Sequence, residues 1–166
     1  MTQPHGPLPH GPLQGAKVVA CSTAQAGTVP YTLMADLGAE VIKIEVPEVG
    51  DNSRGSTVLP GMPSTYFETN NRGVKSVTLN LKTEEGREIL RKLVAEADIF
   101  GQNFRPGAAE KNGFGYEELR QVNPRLVYIS ISGYAPRARI PICRAPTRWP
   151  RRSAASRRPT RRRVSR

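Results

Sequence analysis

The charge of this chain is divided between two parts that meet near residue 136. Residues 137–166 hold 12 of the 25 Lys and Arg side chains, all of them Arg, and contain no Asp or Glu. The 14 acidic side chains all lie before residue 137, where 13 basic side chains nearly balance them. The net charge of +11 therefore belongs to the tail, and only the body has the composition of a packed domain.

Residues 13–136 are long enough for one domain or for part of a larger one. No run in the chain approaches the ~20 apolar residues of a membrane-spanning helix, so no membrane partner is expected. Cys21 and Cys143 imply no disulfide framework, and the default setting is a reducing, cytoplasmic one. Residues 1–12 are rich in Pro and Gly, and we expect a disordered leader without a metal site at His5 or His10.

The hydrophobic pattern alternates between short β-rich runs and longer helical ones. It predicts strands at residues 16–22, 41–45, 75–81, 98–102 and 126–132, and helices at residues 29–37, 83–97 and 116–122. Pro30 is expected in the first turn of its helix, and Thr83 is expected to cap the next one. The buried stripe of that second helix is predicted to be Ile89, Leu90, Leu93, Val94 and Ala97. Strand–helix alternation predicts an α/β fold with a doubly wound, Rossmann-like parallel sheet.

Ligands of such sheets bind where the strands end. The loops that follow predicted strands are residues 23–28, 45–55, 103–107 and 133–136, and residues 47–69 as a whole have the breakers of a long loop. These loops lack the glycine pattern of a dinucleotide site or a P-loop, and no Cys or His spacing fits zinc. The residues alone therefore indicate only a cytoplasmic α/β domain.

Eight stretches of the body occur in a specific order and at a specific spacing. They are LQGAKVV, AQAG, ADLGAEVIKIE, GDNSRG, YFETNNRGVKSVTLNLKTEEGRE, NFRPG, GYEEL and NPRLVYISISGY. In these stretches the chain resembles the N-terminal part of the class III CoA-transferases, the family named for carnitine dehydratase and the bile-acid-inducible protein. The resemblance ends near residue 136, so the body, residues 13–136, corresponds to the beginning of that family's large domain.

The resemblance implies an enzyme that moves CoA between an acyl-CoA thioester and a carboxylic acid. The family mechanism is covalent and passes through an aspartyl intermediate, while one branch racemises 2-methylacyl-CoA instead. Coenzyme A is implied as part of the substrate, without a metal. The family protein is an interlocked homodimer.

The resemblance also implies roles for six residues. Gln25 matches a position beside the reacting acyl group, where a side-chain amide can stabilise an oxyanion. The positions implied for CoA binding are Asn103 and Phe104 in the channel and Arg72, Lys75 and Lys111 near the phosphates. Without the resemblance, Gln25 would be a polar residue of a turn and the three cations would be solvated surface charges.

The chain departs from the family pattern at several positions. Val46 and Val74 stand where the family has basic residues, which predicts a weaker or differently built grip on the nucleotide. The family's nucleophilic Asp lies beyond the SGY segment, where this chain has no acidic residue. We therefore expect a truncated chain that is inactive alone, with apolar faces of its sheet exposed. Asp51 is an alternative nucleophile, although nothing in the sequence places it opposite Gln25.

The tail, residues 137–166, has the composition that G+C-rich DNA gives when it is translated in a wrong frame. We interpret it as a disordered frameshift product, and on this interpretation nucleic acid is not a partner. A genuine nucleic-acid-binding arm normally mixes Lys with Arg. The alternative function is a non-enzymatic protein that binds nucleic acid or anionic surfaces through this tail by counterion release.

Overall fold

Five parallel strands form one sheet in the order β3–β2–β1–β4–β5. The computed structural model describes residues 11–56 and 61–133, so most of the predicted leader and the whole of the tail lie outside the described residues. The strands are β1 (Lys17–Cys21), β2 (Glu40–Glu45), β3 (Lys75–Thr78), β4 (Ile99–Gln102) and β5 (Val127–Ser130). The helices are α1 (Ala24–Asp36), α2 (Thr65–Asn71), α3 (Glu84–Ala95), α4 (Ala108–Lys111) and α5 (Tyr116–Val122). The predicted α/β class with a doubly wound parallel sheet is confirmed.

The two faces of the sheet are covered by different helices because strand side chains alternate in direction. Val18, Ala20 and Val41 pack with Tyr31 of α1 on one face. On the opposite face, Val19 and Cys21 pack in a cluster whose helical members include Leu90 and Val94 of α3 and Leu119 of α5. Both faces of β1 are therefore buried, as its continuous apolar run predicts.

Helix α3 follows its predicted signals closely. The Thr83 hydroxyl accepts a hydrogen bond from the Gly86 N–H at 3.2 Å, which confirms the N-cap. Leu90, Val94 and Ala97 of the predicted stripe are buried, but Ile89 is 43% exposed. Ile89 and Leu93 lie to one side of the buried stripe and border an open groove of about 330 Å³ between α3 and strands β1 and β2. The inclusion of Ile89 in the buried stripe was therefore wrong.

Helix α1 begins at Ala24 and not at the predicted position, Val29. Pro30 consequently lies inside the helix, where it removes one backbone hydrogen bond, and not in the first turn. The helix tolerates this loss because residues on both sides of the proline, Thr28 and Tyr31, are buried against the rest of the fold. Tertiary packing thus outweighs the local signal on which the prediction rested.

The remaining differences concern short elements. The predicted loop at residues 47–69 contains a 3-10 turn at Asn52–Gly55 and the start of α2. Strand β3 ends at Thr78, three residues before the predicted end, and α4 was not predicted. Val77 and Val127 are exposed on the two outer strands, and the expectation of uncovered sheet faces stays a prediction.

Candidate functional site

The strand order of the sheet reverses between β1 and β4, so a ligand-binding crevice is expected at the carboxyl ends of these two strands. Strand β1 continues through a two-residue turn into α1, which packs on one face. Strand β4 continues through residues 103–107 into α4, whose Ala109 packs on the opposite face. In doubly wound sheets this divergence of the two connections creates the binding crevice.

Asn103 joins the two loops that border this crevice. Its Oδ1 accepts a hydrogen bond from the Thr23 N–H at 3.0 Å, and its Nδ2 donates to the Thr23 carbonyl at 2.7 Å. Gly27 allows the approach, because a Cβ at that position would lie 2.3 Å from Nδ2 of Asn103. Each half of the amide has one further hydrogen-bonding position, so Asn103 can bind a ligand while it holds the turn.

Gln25 is the second residue of α1 and has an exposed side chain. Within the described part of the chain, its amide has no hydrogen-bond partner. The preceding residue, Ala24, has a φ of 58°, a left-handed conformation that is uncommon for alanine. Gln25 therefore presents a free amide directly after a strained turn at the edge of the crevice.

Phe104 and Lys111 follow β4 on the same side of the sheet. Phe104 is 36% exposed and packs its ring against Phe114, with the ring centroids 5.5 Å apart. Lys111 is the last residue of α4 and is exposed. The structure thus brings Gln25, Asn103 and Phe104 to neighbouring loops, with Lys111 one short helix away.

Arg72 and Lys75 lie at the other end of the sheet. Arg72 lies three residues before Lys75, which is the first residue of β3. Gln25 and Asn103, in contrast, follow the ends of β1 and β4. Arg72 forms an ion pair with Asp36, and Nζ of Lys75 lies 2.7 Å from Oε1 of Glu40. The structure therefore does not bring these two cations to the crevice, and each has a carboxylate partner within the chain.

Other cations occupy the carboxyl edge of the sheet. Lys82 follows β3 and Arg105 follows β4, and both side chains are exposed. Neither stood out in the sequence, because a single surface cation carries no pattern. Their position relative to the strand ends becomes visible only with the sheet order.

A buried group of charged residues lies behind the Thr23–Ala24 turn. Lys43 of β2 forms an ion pair with Asp51, and Nζ of Lys43 also donates to Oδ1 of Asn71 at 2.7 Å. Oδ1 of Asp51 accepts from the Ser53 N–H at 2.8 Å, from the Ser53 hydroxyl at 2.7 Å and from the Ala24 N–H at 3.3 Å. Burial alone raises the pKa of Asp51, but Lys43 and Ser53 outweigh it, so the pKa of this carboxyl lies below its usual range.

Glu45 extends the group toward the surface. Arg54 binds both of its oxygens at 2.8 Å, through Nε and Nη2, and the Asp51 N–H donates to Oε2 at 2.8 Å. The Arg54 guanidinium also lies 3.9 Å above the centre of the Phe67 ring. Burial raises the pKa of Glu45, but Arg54 and the other donors overcompensate and lower it.

These contacts leave Asp51 unsuited to nucleophilic attack. The residue is 1% exposed, and both carboxylate oxygens are hydrogen-bonded within the protein. The alternative nucleophile named from the sequence is therefore not accessible to a thioester. Lys43 and Glu45 themselves were detectable in principle, because they share a strand face with buried Val41 and must have partners there.

No group of three or more His, Cys, Asp or Glu side chains could hold a metal ion in the described ranges. In the same part of the chain, no helix has the length and apolar character to cross a membrane.

Comparisons with known proteins agree with the resemblance read from the motifs. The family model described as CoA-transferase family III matches residues 13–144. The chain is 43% identical over 134 residues to an acetyl-CoA:oxalate CoA-transferase of Acetobacter aceti, which covers 81% of this chain and 34% of the relative. It is 44% identical over 124 residues to a formyl-CoA:oxalate CoA-transferase of Escherichia coli O6:H1, which covers 74% of this chain and 30% of the relative.

Solved structures give the same result. The crystal structure of Rv3272 from M. tuberculosis has a TM-score of 0.73 and 42% identity, over 78% of this chain and 37% of that one. A CAIB/BAIF family protein from Brucella suis has a TM-score of 0.70 and 44% identity, over 76% and 34% of the respective chains. The chain spans about a third of the length of the curated relatives that it matches.

Proposed function

The chain belongs to CoA-transferase family III, and we propose that its body supplies the part of a CoA-transfer site that receives the CoA thioester. The reaction is transfer of CoA from an acyl-CoA to a carboxylic acid through an aspartyl intermediate. The intact enzyme acts as an interlocked homodimer in the cytoplasm. The observation that supports this proposal best is the pairing of Asn103 with Thr23, which joins the two loops at the crevice.

In this proposal Gln25 acts on the reacting carbonyl. When a carboxylate attacks the thioester carbon, negative charge develops on the carbonyl oxygen before the CoA thiolate leaves and an anhydride remains. The free amide N–H groups of Gln25 can donate to that oxygen, and a donor that is already in place stabilises the transition state without reorganisation. The exposed amide without a partner among the described residues supports this role.

The nucleophilic carboxylate is proposed to come from another protein chain. Residues 134–166 contain no Asp or Glu, and Asp51 is buried and fully hydrogen-bonded. We therefore propose that the chain binds CoA thioesters but does not turn them over alone. A longer protomer of the same family could supply the carboxylate.

For the CoA moiety, Asn103 and Phe104 are proposed to contact the arm next to the thioester. Lys111 is proposed to meet the phosphates, and Lys82 and Arg105 are further candidates because they share its edge of the sheet. Arg72 and Lys75 can serve the phosphates only after they release Asp36 and Glu40. This competition allows a direct test of their role.

The first experiment measures CoA binding to the purified chain by isothermal titration calorimetry. Asn103→Ala should weaken CoA binding by about tenfold, because it removes a ligand contact and frees the turn. Asn123→Ala is the matched control, since Asn123 also donates to backbone carbonyls, at 3.0 and 2.7 Å, but precedes β5 at the opposite edge. Equal losses of affinity in the two variants would contradict the proposed site.

Removal of residues 137–166 separates this function from the alternative one. Under the CoA-transferase proposal, CoA binding does not change when the Arg-rich tail is deleted. Under the alternative, the chain is a binding protein without catalysis, and its 12 tail arginines carry the affinity. Nucleic-acid binding that falls steeply with salt and disappears on this deletion, together with no CoA binding, would support the alternative.

A further inference from the structure

We infer that Asp51 is a positioning residue, which together with Asn103 fixes the turn Thr23–Ala24 and thereby orients Gln25 at the start of α1. This inference rests on the proposed function for the relevance of Gln25 to an acyl group. The fixation of the turn itself is a separate claim about the fold, and it can be tested without a ligand.

The turn is held from two sides by side chains distant in sequence. On one side, the amide of Asn103 pairs with both the N–H and the carbonyl of Thr23. On the other side, Oδ1 of Asp51 accepts from the N–H of Ala24 at 3.3 Å. The backbone of two consecutive residues therefore makes three hydrogen bonds to side chains of other loops.

Ala24 needs this support because its φ of 58° lies in the left-handed region. A residue with a Cβ rarely stays there unless the surrounding structure determines it, and such positions concentrate at functional sites. Thr23, the residue in the N-cap position of α1, makes no capping hydrogen bond with its side chain. Asp51 therefore performs from another loop the role that a local cap would normally have.

The position of the Asp51 carboxylate is itself determined by several contacts. Lys43 pairs with Oδ2, Ser53 donates twice to Oδ1, and the Asp51 N–H donates to Glu45 at 2.8 Å. The pair between Lys43 and Asp51 lies in the protein interior. Replacement of a buried ion pair by two well-packed apolar residues often leaves a fold as stable as before or more stable. The Ala24 N–H needs a hydrogen-bond acceptor at this place, and an apolar residue could not supply one.

Nuclear magnetic resonance tests the fixation of the turn in the full-length chain without ligand. Asp51→Ala removes the acceptor and should lose protection of the Ala24 amide from hydrogen exchange and the chemical shifts of a left-handed Ala24. Glu45→Gln is the matched control, because Glu45 belongs to the same buried group but does not contact Ala24. Lys43→Met combined with Asp51→Leu leaves no unpaired charge and no acceptor, and it replaces the single variant if that one does not fold. Retention of both Ala24 signals when Asp51 is replaced would overturn the inference.

Binding of acetyl-CoA relative to CoA tests whether the turn acts through Gln25. The wild type should bind acetyl-CoA more tightly than CoA, and Gln25→Ala and Asp51→Ala should each reduce the ratio of the two affinities by about fivefold. Ala24→Gly in the Asp51→Ala background should restore this preference, because glycine adopts this φ without strain. A wild-type chain that binds both probes equally, or a preference unaffected by the two variants, would also overturn the inference. If the wild type binds neither probe, the proposed function fails, while the exchange experiment still decides whether Asp51 fixes the turn.

Discussion

Lys43 and Asp51 form an ion pair whose side chains are 2% and 0% exposed, beneath the turn that leads into α1. The pair connects β2 to the loop that ends in the 3-10 turn, and through Asn71 it reaches the end of α2. Since both charges are fully desolvated, each one depends on the other.

Removal of one partner of this pair should be much worse than removal of both. Asp51→Ala leaves the Lys43 ammonium buried without its partner and should cost about 3–5 kcal/mol of unfolding free energy. Lys43→Met combined with Asp51→Leu should cost clearly less than the sum of the single variants. Urea unfolding of the four proteins gives the coupling, and additive costs would show that the pair is not coupled.

The stability of the fold should fall in acid because of the same group. The pKa values of Asp51 and Glu45 are lowered in the folded protein, so the unfolded chain binds more protons below about pH 4. Their stabilisation is present above their unfolded pKa values and is lost as pH falls through the folded ones. Urea midpoints measured from about pH 6 to about pH 2 should therefore decrease.

Measurement in high salt separates the contribution of the buried carboxylates to this loss of stability from that of exposed ones. Glu40 and Glu84 also have lowered pKa values, because of Lys75 and of Arg91 with Arg87 respectively, but they are exposed and their pairs are screened. In high salt, Asp51→Asn should flatten the acid limb of the curve. An unchanged slope in that variant would show that Asp51 contributes little to the proton linkage.

Gly27→Ala should destabilise the fold although alanine favours helices. The added Cβ would lie 2.3 Å from Nδ2 and 2.5 Å from Cγ of Asn103, so the amide must move away from Thr23. We expect a loss of about 1–3 kcal/mol in thermal or urea unfolding. Gly55→Ala is the control, because its Cβ would meet no atom within 4 Å. The clash should largely disappear in an Asn103→Ala background, and a full cost there would contradict the assignment.

Tyr31→Phe should stabilise the protein or leave its stability unchanged. Tyr31 is 1% exposed, and its hydroxyl has no hydrogen-bond partner in the described structure. Because an unpaired buried hydroxyl carries its full desolvation penalty, its removal should gain up to about 1 kcal/mol. Tyr128→Phe is the comparison, since the Tyr128 hydroxyl donates to the Phe114 carbonyl at 3.4 Å. A clear loss of stability in Tyr31→Phe would reveal a partner for this hydroxyl.

Asp36→Asn should test the role proposed for Arg72. The ion pair between these residues is exposed, so its loss should change stability by less than about 1 kcal/mol. If Arg72 binds CoA phosphates, release from Asp36 should strengthen CoA binding, most clearly at low salt. Calorimetry with CoA checks this, and an unchanged affinity would argue that Arg72 remains a surface charge of the amino-terminal edge.

Much of the sheet was predictable because its strands are apolar runs between clear breakers. Helix α5 has the predicted bounds, and α3 begins at the predicted cap. The start of α1 was missed because Thr23 gives no side-chain cap and Pro30 suggests a later beginning. That helix begins where it does because Asp51 and Asn103 hold its first turn. Both residues are distant in sequence, so no local pattern predicts these contacts.

The candidate site was predictable only in part for the same reason. Asn103 and Thr23 are 80 residues apart, so their pairing follows from the position of β4 beside β1. Arg72 and Lys75 lie within one of the family stretches, but the parallel direction of β3 places them at the edge of the sheet away from Gln25. The motifs identified the family, but only the sheet topology shows which of their residues lie at the carboxyl edge of the sheet and which at the amino-terminal edge.

The alternation of side chains in β2 gives the buried charges a second consequence, which concerns strand alignment. Val41, Lys43 and Glu45 face one side, and Ile42 and Ile44 face the other, with Lys43 opposite Ala20 of β1. A slip of β2 by one residue would turn Lys43 and Glu45 into the cluster around Leu90 and leave Asp51 facing isoleucine. Such a misaligned sheet would bury three unpaired charges, whereas the native alignment buries none. The group therefore encodes the register of the central strands, in addition to any part it has in catalysis.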